Sequence, residues 1–308
     1  MSIKVLFMGS PDFALPCLSA LAAARNYQVV GVVTQPDRAS GRGRELKSPP
    51  VKKLALELNL PIFQPEKLRG TEVMQKLQAW KPEIIVVTAF GQILQNEILD
   101  LPRYGCINVH ASLLPCWRGA APVNAAILAG DKETGVTIIQ MDVGLDTGPM
   151  LAKRSIRLKP DDTTGSVLQA LSTLGADLLL ETLPDYISGK LIAVPQPAEG
   201  ATYAPMLKKE DGLLDFTRPA IELERRVRAM NPWPGAWFEC MGNPLKVMRA
   251  SVVSGEKGLV SGSRFTVEGR PAVMCSDVAL ILEEIQPAGK KIMAGKSFLA
   301  GAREWDSS

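Results

Sequence analysis

Over its first two thirds the chain alternates short, continuous apolar runs with stretches whose apolar residues recur at helical spacing. Lys4–Met8, Tyr27–Thr34, Ile62–Phe63, Glu83–Thr88, Gly105–His110, Thr134–Met141 and Pro149–Arg157 read as strands, most of them rich in β-branched residues. Pro11–Ala24, Val51–Leu58, Thr71–Trp80, Pro122–Ala129 and Thr163–Ile187 read as helices, the first opening on a proline whose missing N–H costs nothing there. Buried strands alternating with helices predict an α/β domain with a mostly parallel sheet and helices on both faces.

The pattern breaks after Ser188. Pro195, Pro197, Gly200 and Pro205 punctuate a stretch without periodicity, which reads as an extended linker. One more helical pattern follows at Pro219–Met230. Then come short strands parted by glycines: Ala236–Cys240, Leu245–Val253, Arg264–Val267, Ala272–Met274 and Ala279–Ile285. They predict a small antiparallel β-barrel. The expected division is a first domain over 1–189, a linker over 190–206 and a second domain over 207–308.

Length and composition agree with two folded domains: 308 residues, 46% apolar and 22% charged. No run approaches the ~18 apolar residues of a membrane span. The first run, Val5–Met8, is cut off at Gly9-Ser-Pro-Asp12, too early for a signal peptide, so a cytoplasmic protein is expected. Five cysteines (17, 106, 116, 240 and 275), none spaced as CxxC, argue for buried free thiols and against disulfides or a zinc ribbon. A single histidine, His110, excludes HExxH and two-histidine metal sites, and no metal is expected. Net charge is only +3, but Arg38–Lys47 alone holds four cations and one anion. Such a glycine-containing basic loop either reaches phosphates or is simply solvated.

Several motifs fail on inspection. Gly9–Ala14 lacks the glycines of a dinucleotide fingerprint, and Gly295-Lys-Ser297 has Lys290 where a phosphate loop needs glycine. No GxSxG elbow occurs.

The informative cluster is Ile107-Asn108-Val109-His110. Strand side chains alternate, so Asn108 and His110 project from one face, at the carboxyl end of a parallel strand where open α/β sheets bind ligands. A strand that finishes on an amide and the only imidazole is poorly explained by core packing. Asp142-Val-Gly144-Leu-Asp146-Thr-Gly148 leaves another apolar run, and either aspartate reads equally as a turn carboxylate holding its own loop. Together Asn, His and Asp suit acyl transfer without a covalent intermediate: an amide donor for an oxyanion, an imidazole for proton transfer, and a carboxylate to orient it or take a proton.

Asn108–Pro115, Trp117–Pro122 and Asp142–Gly148 resemble the folate-dependent formyltransferases. Gly9–Ala14, Gln35–Arg38 with Gly41–Arg44, and Glu224–Arg228 with Asn231–Trp237 extend the likeness to the branch that formylates methionyl-tRNA, over essentially the whole chain. The resemblance implies a Rossmann-like first domain and an OB-like barrel that contacts tRNA. It implies transfer of the formyl group of 10-formyltetrahydrofolate, a cosubstrate, to the α-amino group of methionine on initiator tRNA. It makes Asn108, His110 and Asp146 catalytic. Ser112, Leu113, Leu114, Pro115, Phe90, Ile93 and Asp142 would bind folate, and Arg38, Arg42, Arg44 and Lys47 would bind tRNA. A monomer is expected. One departure is Cys116, where the family usually carries arginine. Arg225, Arg226 and Arg228 either meet tRNA or pair with Glu222 and Glu224 along their helix. Competing readings change the acceptor to an amino-sugar nucleotide, glycinamide ribonucleotide or water, or make the chain an RNA-binding module with a decayed enzyme domain.

Overall fold

A computed structural model describes residues 2–40, 45–254, 258–302 and 305–306. The chain divides into two compact units, 1–122 with 133–157 and 168–204, and 123–132 with 158–167 and 205–308. The division is therefore not a single cut in sequence. Two short segments from the first two thirds pack with the second unit.

The first unit contains β1 (Ile3–Gly9), β2 (Tyr27–Val33), β3 (Arg38–Ser40), β4 (Glu45–Lys47), β5 (Ile62–Phe63), β6 (Ile84–Thr88), β7 (Cys106–His110), β8 (Arg118–Gly119), β9 (Glu133–Gln140), β10 (Met150–Arg157) and β11 (Tyr203–Ala204). Seven of these form one sheet in the order β10-β9-β7-β6-β1-β2-β5. From β5 to β7 it is parallel, while β9 pairs antiparallel with β7, and β10 with β9. Residues Val5 to Met8 and Ile84 to Val86 are wholly buried, which is why their sequence shows no polar face. On β10 burial alternates, as suits an edge strand with one wet face.

Helices α1 (Leu15–Ala23), α2 (Pro50–Glu57), α3 (Thr71–Ala79), α4 (Asn96–Leu99), α5 (Pro122–Ala129) and α6 (Thr164–Ile187) occur in that chain order, with α4 not evident from periodicity. Gly175 of α6 meets the sheet directly. A Cβ there would lie 2.8 Å from Val109 Cγ1, so the helix backbone covers the face of β7 opposite Asn108 and His110. No helix among the described residues is long and apolar enough to cross a membrane.

In the second unit α7 (Ala220–Ala229) packs on an antiparallel sheet in the order β12-β13-β16-β15-β14. Its strands are β12 (Ala236–Cys240), β13 (Asn243–Val253), β14 (Arg264–Val267), β15 (Arg270–Met274) and β16 (Ala279–Pro287), with β17 (Met293–Ala294) beside β16 and α8 (Gly295–Leu299) after it. Among the described residues β12 and β14 do not pair, so this sheet is an open counterpart of the expected barrel. Leu223 and Val227 of α7, with Phe238, Leu282 and Trp305, form its core. The segments borrowed from earlier in the chain cap α7: Asn124 Nδ2 and Thr164 Oγ1 both donate to the Ala229 carbonyl, at 2.6 and 2.7 Å.

Candidate active site

Asn108 and His110 lie on one face of β7 and are 8% and 6% exposed. The Asp142–Gly148 loop brings the third group to them. Because β9 runs antiparallel to β7, it ends level with Ile107, before the end of β7, and the loop must fold back to reach the two side chains. Asp146 adopts φ = +53°, a left-handed conformation that aspartate tolerates better than most residues. Gly148 passes so close to β9 that a Cβ would sit 1.8 Å from the Gln140 carbonyl oxygen.

The Asp146 carboxylate is a junction. Oδ1 accepts from Asn108 Nδ2 at 3.2 Å, Oδ2 accepts from the Gly119 N–H at 2.9 Å, and Oδ2 lies 3.6 Å from His110 Nδ1. On its other side, His110 donates from Nε2 to the Trp117 carbonyl at 3.0 Å. Both ring nitrogens thus face acceptors, and the ring can donate in both directions only as imidazolium. Asn108 commits one of its two N–H groups to Asp146 and, among the described residues, keeps the other available.

The segment after β7 is held from within. Ser112 and Leu114 are fully buried; Ser112 Oγ donates to the Cys116 carbonyl at 2.6 Å. Thr137 of β9 donates to the Ser112 carbonyl at 2.7 Å and accepts from the Leu114 N–H at 3.0 Å. Leu113 and Pro115 are half-buried. Phe90 is core, while Ile93 is 84% exposed, as are Val143 and Leu145 at 71% and 59%. Asp142 accepts from the Gly144 N–H and Thr147 Oγ1, holding its own turn.

Arg38 and Lys47 face one another across the β3–β4 hairpin, both exposed. Arg42 and Arg44 lie outside the described residues. The hairpin's base is tied down at Asp37, which accepts from Lys52 Nζ at 2.6 Å, Gln64 Nε2 at 2.9 Å and Ser48 Oγ at 3.0 Å. These bonds hold its carboxyl below the usual range, Lys52 contributing most. The α7 arginines have partners inside the second unit. Arg228 pairs with Glu224 at 2.6 Å, Arg226 donates to the Asp211 carbonyl, and Arg225 donates to the Ala129 carbonyl. Among the described residues no group of three or more His, Cys, Asp or Glu is arranged to hold a metal.

Sequence patterns alone gave no role to Trp117, Gly119 or Thr137. The first two act through backbone groups, and the third is a threonine inside an apolar strand. Neither leaves a periodic signal.

The family described as "Formyl transferase" matches residues 1–183, and "Formyl transferase, C-terminal domain" matches 206–303. A methionyl-tRNA formyltransferase of Myxococcus xanthus is 47% identical over 302 residues, covering 97% of this chain and 95% of its own. One of Neisseria meningitidis serogroup C is 47% identical over 301 residues, with 97% of each chain covered. HypX from Aquifex aeolicus, solved in complex with tetrahydrofolic acid, shares the fold with TM-score 0.66 at 15% identity, over 99% of this chain and 48% of that one.

Proposed function

The chain belongs to the formyl transferase family, carrying both of its domains, and on that premise we propose how its residues do the work. It transfers the formyl group of 10-formyltetrahydrofolate to the amino group of methionyl-tRNA, making the formylmethionyl-tRNA that begins translation. The observation that carries our assignment is the Asp146 carboxylate, which contacts Asn108 and Gly119 and faces His110.

The attacking amine must be neutral, and negative charge grows on the formyl oxygen as the new C–N bond forms. The uncommitted N–H of Asn108 receives that oxygen; an oxyanion donor of this kind is worth ~10²–10³-fold, or ~2.7–4 kcal/mol. Asp146 takes the proton that the amine loses. His110 gives the Nδ1 proton to folate N10 as the old C–N bond breaks, while Nε2 stays with the Trp117 carbonyl. Asp146 then returns its proton to the ring, and both groups end as they began. General acid–base steps of this kind contribute ~10²–10⁴-fold.

The folate rests against the loops carrying Ile93, Leu113 and Pro115. Phe90, Ser112 and Leu114 shape those loops from inside, and Asp142 does so for the loop of Asp146. Arg38, Arg42, Arg44 and Lys47 meet phosphates of the initiator tRNA, Arg38 and Lys47 from a hairpin anchored through Asp37. The reaction belongs to the cytoplasm, and a monomer suffices because one chain supplies all three groups. His110→Ala and Asp146→Asn should each lower kcat at least ~10²-fold with little change in folate affinity. A kcat within about threefold of wild type for either variant overturns these roles.

A further inference from the structure

We propose that Gln196, with Arg118 behind it, is a positioning residue for the Asp146 carboxylate; this rests on the catalytic reading of Asp146 given above. Gln196 lies in the aperiodic stretch after α6, yet its amide closes the base of the Asp142–Gly148 loop. Its Nε2 donates to the main-chain carbonyls of Asp146 and Gly148, each at 2.8 Å. Its Oε1 accepts from Arg118 Nε at 3.1 Å and Arg118 Nη2 at 2.8 Å. A guanidinium only donates and a carbonyl only accepts, so this amide fits one way round. Its donor side is turned onto the Asp146 backbone.

Arg118 is itself fixed. It is 9% exposed, and its N–H donates to the Thr202 carbonyl at 2.9 Å, next to the two residue pairs that join β8 to β11. Its chain neighbours hold the other catalytic contacts: Trp117 offers its carbonyl to His110, and Gly119 its N–H to Asp146 Oδ2. Residues 117–119 therefore grip His110 and the Asp146 carboxylate through their backbone. Through the Arg118 side chain and Gln196, the same tripeptide grips the Asp146 main chain. A carboxylate on a left-handed residue of an exposed loop needs such an external hold to keep one position.

The test is single-turnover formyl transfer to methionyl-tRNA by Gln196→Ala, Gln196→Glu, Asp146→Asn and the Asp146→Asn/Gln196→Ala double variant. Gln196→Ala should lose at least about tenfold in kcat, with KM for both substrates within about threefold, because the carboxylate and not the substrate site is displaced. Gln196→Glu keeps the size and the Arg118 contact but turns an oxygen toward two carbonyls, so it should fall at least as far. On the Asp146→Asn background, Gln196→Ala should cost less than about twofold more, since it acts through a group already gone. A smaller loss for Gln196→Ala, recovery in Gln196→Glu, a KM effect in place of a kcat effect, or full multiplication in the double variant overturns the proposal. Gln196→Glu decides alone if the alanine variant does not fold. Normal kcat for Asp146→Asn removes the catalytic reading and this one with it; normal kcat for Gln196→Ala beside a disabled Asp146→Asn removes this one only.

Discussion

Gly148→Ala tests whether the placement of Asp146 sets the rate. The new Cβ would lie 1.8 Å from the Gln140 carbonyl oxygen and 3.0 Å from its carbon. Comfortable contact needs about 3.5 Å, so something must give by about 1.7 Å. β9 is an interior strand paired on both sides, with β7 and with β10, and resists; the loop moves instead. Asp146, two residues away, stands 3.2 Å from Asn108 Nδ2 and 3.6 Å from His110 Nδ1. A displacement of that size breaks the first contact and lengthens the second. Misplacing a reacting group by ~1 Å costs about 10²-fold, equivalent to ~2.7 kcal/mol of barrier. The variant should therefore lose at least ~10²-fold in kcat while its melting temperature falls only a few degrees, since no core residue changes. Rapid-quench transfer of labelled formyl to methionyl-tRNA, at saturating concentrations of both substrates, measures the first quantity and calorimetry the second. A folded variant with kcat within about threefold of wild type would refute the claim that this loop's position is rate-determining.

Three further outcomes are expected. Arg42→Ala should lower kcat/KM for methionyl-tRNA and flatten its dependence on salt while leaving formyl-folate binding alone, and an unchanged kcat/KM counts against Arg42 as a phosphate contact. Trp305→Ala removes a side chain that is 1% exposed, donates to the Phe265 carbonyl at 2.8 Å and packs edge-on against Phe298. At ~3–5 kcal/mol for such a deletion, the second unit should melt about 12 °C lower or more, and a shift under half of that contradicts the packing argument. Burial pushes the Cys17 and Cys106 thiols up to about 12, so at pH 8 only about one in 10⁴ of each is the reactive thiolate. Exposed Cys116 alone should react quickly with a disulfide reagent, and a second fast equivalent in the native protein would show the interior thiols to be accessible.

Much of the fold is legible in sequence because its signals are local. The runs EIIVVT and GCINVH lie close to β6 and β7, and the glycine-parted runs after Ala236 match β12 to β16. Elements without a local signal are short or held by neighbours. The β3–β4 hairpin pairs three residues on each side, β8 and β11 pair two, and neither length can show a period. The site divides similarly. Asn108 and His110 follow from alternation along one strand, whereas Asp142 and Asp146 sit in the same kind of loop sequence, which local pattern does not tell apart; the resemblance gives them different roles, and their contacts differ. Asp142 serves its own turn; Asp146 reaches across to Asn108, His110 and Gly119. Gln196 carried no signal at all, being a lone amide among prolines.

The sequence by itself determined that a parallel sheet ends in an amide and the chain's one imidazole on a common face, because the two-residue repeat of a strand is written into covalent geometry. Tertiary structure decided the rest. The antiparallel turn of β9 makes its loop fold back, the backbone of residues 117–119 supplies partners to two side chains, and a stretch without periodicity delivers Gln196 to the loop's base. Those are contacts between residues up to 78 positions apart. They depend on how whole elements pack, which no local pattern encodes.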